Sequence, residues 1–111
     1  MTGGRLPPLA EIVSYVALAY GIEVPDLRDS RERVPSEARA VVYHLARELR
    51  GEGWSAIGRQ LNREHGSVLS GAAKIAARLA ATRSEENVTS DEDRALAARV
   101  ANIRALLAAG A

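Results

Sequence analysis

The stretch SAIGRQLNREHGSVLSGAAKI, residues 55–75, decides the fold. A short apolar-periodic segment carries Ile57 and Leu61, and a polar gap of four residues separates it from a longer periodic segment. The pattern predicts a helix-turn-helix, in which Ser55 caps a short first helix and the second helix begins around Gly66. An ordinary antiparallel helix pair with a polar turn has the same spacing, so spacing alone leaves that alternative open. The residues in the gap are Asn62, Arg63, Glu64 and His65.

The second predicted helix has two unlike faces. One face is an apolar stripe of Val68, Ala72, Ile75 and Leu79. The other is small near the helix start and basic further on, with Ser67, Ser70, Gly71, Lys74 and Arg78. In a helix-turn-helix, residues before and within the first turn of the second helix reach base edges, and free backbone amides there can meet a phosphate. We therefore expect Arg63, Glu64 and His65 at the mouth of a major groove, where a carboxylate can accept from a cytosine amino group.

Length and composition favour an all-α fold. The 111 residues suit one ordinary domain, and because Phe is absent the interior must be built from Ala, Val, Leu and Ile. We predict a compact bundle of about five to six helices over residues 9–109, preceded by a flexible segment over residues 1–8.

Four further elements complete the predicted bundle. A first helix follows Pro7 and Pro8 and stops near Gly21, and VPDLRD, residues 24–29, forms one short helical turn. A third element runs from Pro35 to Gly51, with Ala38, Val42, Leu45 and Leu49 at helical spacing. A closing helix spans about Asp91 to Ala109, and Thr89 with Glu92 or Ser90 with Asp93 forms its capping pair.

The closing helix carries one apolar stripe, made of Leu96, Val100, Ile103 and Leu107. Such a stripe usually closes a core. If it remained exposed, it could instead dock a partner protein or a second copy of the chain.

Charge is unevenly distributed although the net charge is only +1. Residues 28–84 hold eleven Lys and Arg against six Asp and Glu, whereas residues 85–93 hold five acids and no base. Fourteen of the fifteen bases are Arg, which suits bidentate contacts to phosphates and base edges, although a general compositional bias explains the same count. The Arg-rich stretch RDSRERV, residues 28–34, taken alone predicts a solvated linker.

Several function classes are disfavoured by the residues that are missing. The chain has no cysteine, no N-terminal signal or membrane span, and no Gly-rich loop ending in Gly-Lys-Ser/Thr, so we expect a cytoplasmic protein without a nucleotide site. His44 and Glu48 lie one helical turn apart, but two ligands do not make a zinc site. We therefore predict no catalytic residue, no metal and no cofactor, with His44 partly buried and Glu48 exposed or paired.

Four segments resemble a known family in order and approximate spacing: VALAYGIEVPDL, HLAREL, WSAIGRQL and REHGSVLSGAAKI. Over about Leu9 to Leu107 the chain is similar to the C-terminal DNA-binding domain of the bacterial replication initiator DnaA. The family signature reads approximately Gly-Gly-Arg-Asp-His-Thr-Thr-Val. Arg63, His65 and Val68 agree with it, whereas Glu64 replaces Asp, Gly66 the first Thr and Ser67 the second. Gly66 lacks the hydroxyl and methyl that could contact a thymine, so the family's target sequence is not carried over.

The resemblance implies binding to double-stranded DNA, with residues 63–67 in the major groove. From the small and basic face of the second helix we predict further DNA contacts by Ser70, Lys74 and Arg78. It also implies that a basic loop, here Arg28, Arg31 and Arg33 with Arg39 in the following helix, enters the adjacent minor groove. Asp29 and Glu32 dilute the positive charge of that loop, so we expect weaker phosphate binding than is usual for the family. The alternative is a regulatory or protein-interaction module that keeps the fold without binding DNA specifically.

Overall fold

The computed structural model describes residues 6–83 and 90–110, and within these ranges it contains six α-helices and no strand. The helices are α1 (Leu9–Tyr20), α2 (Val24–Asp29), α3 (Arg33–Arg50), α4 (Trp54–Leu61), α5 (His65–Ala81) and α6 (Asp91–Gly110). Helix α3 packs against α1, α2, α4 and α5, and α6 covers α1 and α5. The all-α prediction is confirmed.

Two glycines end helices where the sequence predicts. Gly21 and Gly51 follow α1 and α3 with φ of 66° and 67°, and their backbone N–H groups donate to carbonyls of the preceding turn. A left-handed residue costs least when it is glycine, because no Cβ meets the preceding carbonyl. The chain can therefore leave α1 and α3 at these residues and continue into α2 and α4.

Two predicted helix starts need correction. Helix α3 begins at Arg33 rather than Pro35, because proline is tolerated in a first turn whose N–H groups have no intrahelical acceptor. Since α2 also includes Arg28 and Asp29, the predicted linker shrinks to residues 30–32. Helix α4 begins at Trp54 after Gly53 and has no side-chain cap, so Ser55 lies inside the helix and the prediction that it caps α4 is wrong.

The predicted apolar stripes form the core. Val68, Ala72, Ile75 and Leu79 of α5 are buried, as are Leu96, Val100, Ile103 and Leu107 of α6. Burial of the α6 stripe in the chain's own core leaves those four side chains no exposed surface for a partner. The stripe therefore closes the core, and the alternative that it docks a partner or a second copy is wrong.

The start of α6 is capped by Ser90. The backbone N–H of Asp93 donates to Ser90 Oγ at 3.1 Å, as one of the two predicted capping pairs requires. Thr89, from the other pair, lies outside the described residues, as do residues 1–5 of the predicted flexible segment.

A polar cluster joins four helices at the far end of α5. The Tyr20 hydroxyl donates to Glu37 Oε2 at 2.7 Å, and Arg78 donates to Glu37 at 2.8 Å and to Asp93 at 2.7 Å. The guanidinium of Arg99 lies 4.4 Å from the centre of the Tyr20 ring. These contacts link α6 to α1, α3 and α5.

Candidate nucleic-acid interface

The turn between α4 and α5 is built on backbone contacts. Asn62 ends α4 in the left-handed region with φ 56°, and the Arg63 backbone N–H donates to the Gly58 carbonyl at 2.7 Å. A Cβ on residue 58 would lie 2.5 Å from the Arg63 carbonyl oxygen and 3.3 Å from Val68. Glycine at this position therefore lets the two helices approach closely enough to form a tight helix-turn-helix.

The first turn of α5 faces solvent. The helix begins at His65, one residue before the predicted start, and Glu64, His65, Gly66 and Ser67 are all exposed. The Val68 N–H donates to the Glu64 carbonyl, and no side chain caps the helix. The backbone N–H groups of residues 65–67 thus have no intrahelical acceptor, and they belong to an exposed turn that an anion can reach.

An open cleft with a volume of about 560 Å³ lies between α3 and the first half of α5. It brings together seven residues that the sequence predicts for DNA binding, namely Arg39, Arg63, Glu64, Gly66, Ser67, Ser70 and Lys74. His65 is exposed in the same turn but does not line the cleft. The cleft therefore lies along the predicted recognition helix.

The α3 wall of this cleft is what the sequence-based prediction missed. Ser36, Ala40 and Tyr43 line it, opposite Gly71. A Cβ on Gly71 would lie 3.0 Å from Tyr43 Cδ2 and 3.4 Å from the Ala40 Cβ, so a small residue on α5 accommodates an aromatic ring on α3. The sequence did place Gly71 on the non-apolar face of α5. A glycine there indicates a close neighbour but does not identify that neighbour as Tyr43 of α3.

The cleft has a positive character. Arg39, Arg63 and Lys74 contribute three cationic side chains and Glu64 one carboxylate. Burial raises the pKa of the Tyr43 hydroxyl above its usual value of 10.0, although the charges of Arg39 and Arg63 act in the opposite direction. Tyr43 therefore stays a neutral phenol at physiological pH and adds no negative charge to the cleft.

The C-terminal end of α2 lies against the turn. Arg63 Nη2 donates to the Arg28 carbonyl at 2.5 Å, and Arg39 Nη1 donates to the carbonyls of Leu27 and Ser30 at 2.7 and 3.0 Å. The Arg28 and Arg31 side chains are exposed on this segment. Arg39, in contrast, is only 9% exposed, so its guanidinium faces the protein rather than solvent.

Arg33 and Arg78 lie elsewhere. Arg33 pairs with Glu92 at 3.2 Å, and Arg78 pairs with Glu37 and Asp93 in the polar cluster. Both line a separate depression between α3 and α6, away from Ser67 and Lys74. The structure therefore does not bring these two predicted DNA contacts to the cleft, because carboxylates on α3 and α6 engage them.

His44 and Glu48 of α3 take part in a polar contact with α6. Arg104 donates to both Glu48 oxygens at 2.7 Å, and His44 Nε2 lies 3.7 Å from Glu48. Burial lowers the pKa of His44, with the Glu48 charge opposing that effect. Half-buried His44 and paired Glu48 agree with the sequence-based prediction.

Residues 6–83 and 90–110 were compared with two further kinds of site, a metal centre and a membrane-spanning helix, and they form neither. No group of three or more His, Cys, Asp and Glu residues is placed to hold a metal ion. In the same residues, none of the helices combines the length and apolarity that crossing a bilayer requires.

The chain is similar in sequence to one known protein family. A family profile described as bacterial dnaA protein helix-turn-helix matches residues 9–75, which run from the start of α1 into α5 and include the whole turn. Helix α6 lies beyond the match. A comparison with curated proteins finds no match.

Proposed function

The chain belongs to the bacterial DnaA helix-turn-helix family, a family of DNA-binding domains, and from this premise we propose that it binds double-stranded DNA in a sequence-dependent manner. In this proposal the first turn of α5 enters the major groove. The resemblance of residues 63–68 to the family signature supports this placement, as does the exposure of that turn.

The observation that carries the proposal is the uncovered start of α5. Glu64, His65, Gly66 and Ser67 are exposed. Small residues at 66, 67, 70 and 71 line the cleft along this helix, so a duplex can come close to α5 there. The free N–H groups of residues 65–67 are suited to a phosphate oxygen. A groove floor can thus approach the helix backbone closely.

The side chains divide into two proposed roles. His65 and Ser67 read base edges, and Glu64 accepts a hydrogen bond from a cytosine amino group. Lys74, Arg28 and Arg31 neutralise phosphates, and Arg63 lies between the two regions. The Nε of Arg63 is buried and has no hydrogen-bond partner in the described part of the chain, so its present arrangement leaves one donor unsatisfied.

Phosphate contacts set the expected salt dependence. Because Arg39 is buried and Arg33 and Arg78 pair with carboxylates, we assign phosphate contacts to Arg28, Arg31 and Lys74, and log K should fall with log salt at a slope of roughly −3. This lies at the weak end of the range of about −3 to −5 that three to five phosphate contacts would give.

We further propose that this binding needs no nucleotide and that the chain is not an enzyme. Its 111 residues contain no Gly-rich loop ending in Gly-Lys-Ser/Thr, so added ATP should change neither DNA binding nor phosphate release. Binding to chromosomal DNA would place the chain in the cytoplasm, at the nucleoid. ATP turnover that survived repurification of the chain would contradict the non-enzymatic proposal.

Selection of bound duplexes from a random pool at two salt concentrations tests the proposed function. Enrichment of a common sequence that persists at the higher salt supports sequence-dependent binding, because the non-specific part is electrostatic and weakens with salt. Binding without enrichment would contradict sequence dependence. No binding at about 50 mM salt by a folded chain would overturn the DNA-binding proposal and favour an interaction module.

A further inference from the structure

Arg39 is a buried cation whose hydrogen bonds go to backbone and hydroxyl oxygens. Its guanidinium donates to the Leu27 carbonyl at 2.7 Å, the Ser30 carbonyl at 3.0 Å and Ser36 Oγ at 3.3 Å. None of the ion pairs in the described part of the chain includes Arg39. A buried charge is costly without such compensation, so these oxygens stabilise the guanidinium in place.

The acceptors come from one place in the fold. Leu27 and Arg28 belong to the last turn of α2, and Ser30 is its C-cap residue. The carbonyls of a last helical turn receive no hydrogen bond from an N–H of the same helix. Arg39 donates to the carbonyls of Leu27 and Ser30. Arg63 donates to the carbonyl of Arg28, which lies between them in sequence. Two guanidiniums, one from α3 and one from the helix-turn-helix turn, thus fix the same short end of α2.

This arrangement determines where Arg31 lies. Residues 30–32 connect α2 to α3, and the Ser30 carbonyl held by Arg39 immediately precedes the exposed Arg31. With those bonds, the backbone just before Arg31 is tied to α3 through Arg39 and to the turn between α4 and α5 through Arg63. Without them, the connection is anchored by α2 and α3 only.

We propose that Arg39 is a positioning residue that holds Arg31 in register with the first turn of α5, rather than a residue that contacts DNA itself. This inference rests on the proposed DNA binding. It assigns the α2–α3 connection and the recognition helix to one rigid unit, so that contacts on two neighbouring parts of a duplex are made together.

A thermodynamic cycle between positions 31 and 39 tests the proposal. The probe is a labelled duplex carrying the best sequence from the random pool, and the proteins are the full chain and its Arg31→Ala, Arg39→Met and double variants. Arg31→Ala should weaken binding and reduce the salt slope by about one unit. Arg39→Met should weaken binding and also reduce the salt slope by about one unit, because the Arg31 contact is lost with it, and in its background Arg31→Ala should change Kd by less than about twofold.

Hydrogen exchange of the amides of residues 27–32 gives a readout that does not depend on DNA. Arg39→Met and Arg39→Lys should both accelerate exchange there, since a single ammonium nitrogen cannot reproduce the guanidinium geometry in which Nη1 donates to both carbonyls and Nη2 donates to Ser36 Oγ. Arg104→Met is the matched control, because it removes an engaged guanidinium from α6, remote from α2. It should leave exchange at residues 27–32 unchanged.

Two results would overturn the positioning role. One is an unchanged exchange rate at residues 27–32 in a folded Arg39→Met variant. The other is an equal effect of Arg31→Ala on Kd and on the salt slope in both backgrounds, which is the behaviour of two contacts that act independently. If the wild-type chain binds no duplex, the proposed function fails, and faster exchange would still show that Arg39 holds the connection.

Discussion

The Arg63 carbonyl oxygen lies 2.5 Å from the position that a Cβ on residue 58 would occupy, and the Arg63 N–H donates to the Gly58 carbonyl. Because the crowded atom belongs to the backbone, a side chain at position 58 must push α4 and the turn apart. We expect Gly58→Ala to lower the free energy of unfolding by about 1–3 kcal/mol, measured by urea denaturation.

Gly66→Ala is the matched control for Gly58→Ala. A Cβ on Gly66 meets nothing within 4 Å, and alanine favours the helix. This variant should be at least as stable as wild type to within about 0.5 kcal/mol. Equal stability of both variants would show that the turn does not depend on the absence of a side chain at position 58.

Glu37 should make the free energy of unfolding depend on pH in the acid range. Burial alone would raise its pKa, but hydrogen bonds from Tyr20 and Arg78, with the charges of Arg78 and Arg99, lower the pKa below the ordinary 4.5. A depressed folded-state pKa stabilises the fold above pH 4.5, and that contribution is lost as the pH falls through the folded-state value. Glu37→Gln should therefore cost about 1–3 kcal/mol at neutral pH, with the difference from wild type shrinking in acid.

Denaturation curves of Glu37→Gln between neutral pH and the acid range measure this effect. Glu92→Gln is the control, since its carboxylate forms an exposed pair with Arg33 and should contribute less than about 1 kcal/mol. A constant difference between wild type and Glu37→Gln over the whole range would contradict the proposed linkage.

The sequence predicted the helices and stripes because helical periodicity is local. The apolar stripes of α5 and α6 follow from residues three and four apart, and Gly21 and Gly51 mark helix ends by their own backbone freedom. The same local information misplaced the start of α3, since Pro35 is compatible with either the first or the third helical position.

Side-chain assignment at the site needed tertiary contacts. Arg28, Arg31, Arg33 and Arg39 are equivalent as residues in a basic segment, yet the structure exposes the first three, pairs Arg33 with Glu92 and buries Arg39. The partner of Arg33 is 59 residues away, and the first acceptor of Arg39 belongs to another helix. No pattern of spacing within the segment contains that information.

Arg31 and Arg33 should therefore differ in DNA binding. Arg31→Ala should weaken binding to all duplexes and reduce the salt slope by about one unit, because it removes an exposed cation beside the cleft. Arg33→Ala should have a smaller effect on both quantities, since Glu92 already offsets its charge and its side chain lies toward α6. Anisotropy titrations at several salt concentrations measure both. Equal slopes for the two variants would contradict this division.

His65 and Ser67 should behave as base-reading residues. Replacing either with Ala should cost about 1–3 kcal/mol on the best selected duplex, much less on random duplex, and should leave the salt slope nearly unchanged. Circular dichroism first establishes that each variant retains its helices. Equal losses on selected and random duplexes would instead identify the turn as a phosphate clamp.

Gly66 should limit what the first turn of α5 can recognise. It occupies an exposed position with open space around its Cα, where the family signature has a threonine. Gly66→Thr adds a methyl group that can pack against a thymine methyl and a hydroxyl that can hydrogen-bond a base edge. We expect its selected sequence to change at one position in favour of thymine, without a change in salt slope. Gly66→Val has the shape of threonine with a methyl group in place of the hydroxyl, so a shared preference in both variants attributes the effect to apolar contact, and a preference only in Gly66→Thr attributes it to the hydroxyl. If selection returns the wild-type sequence for both variants, residue 66 does not face a base pair, and the placement of this turn in the major groove is wrong.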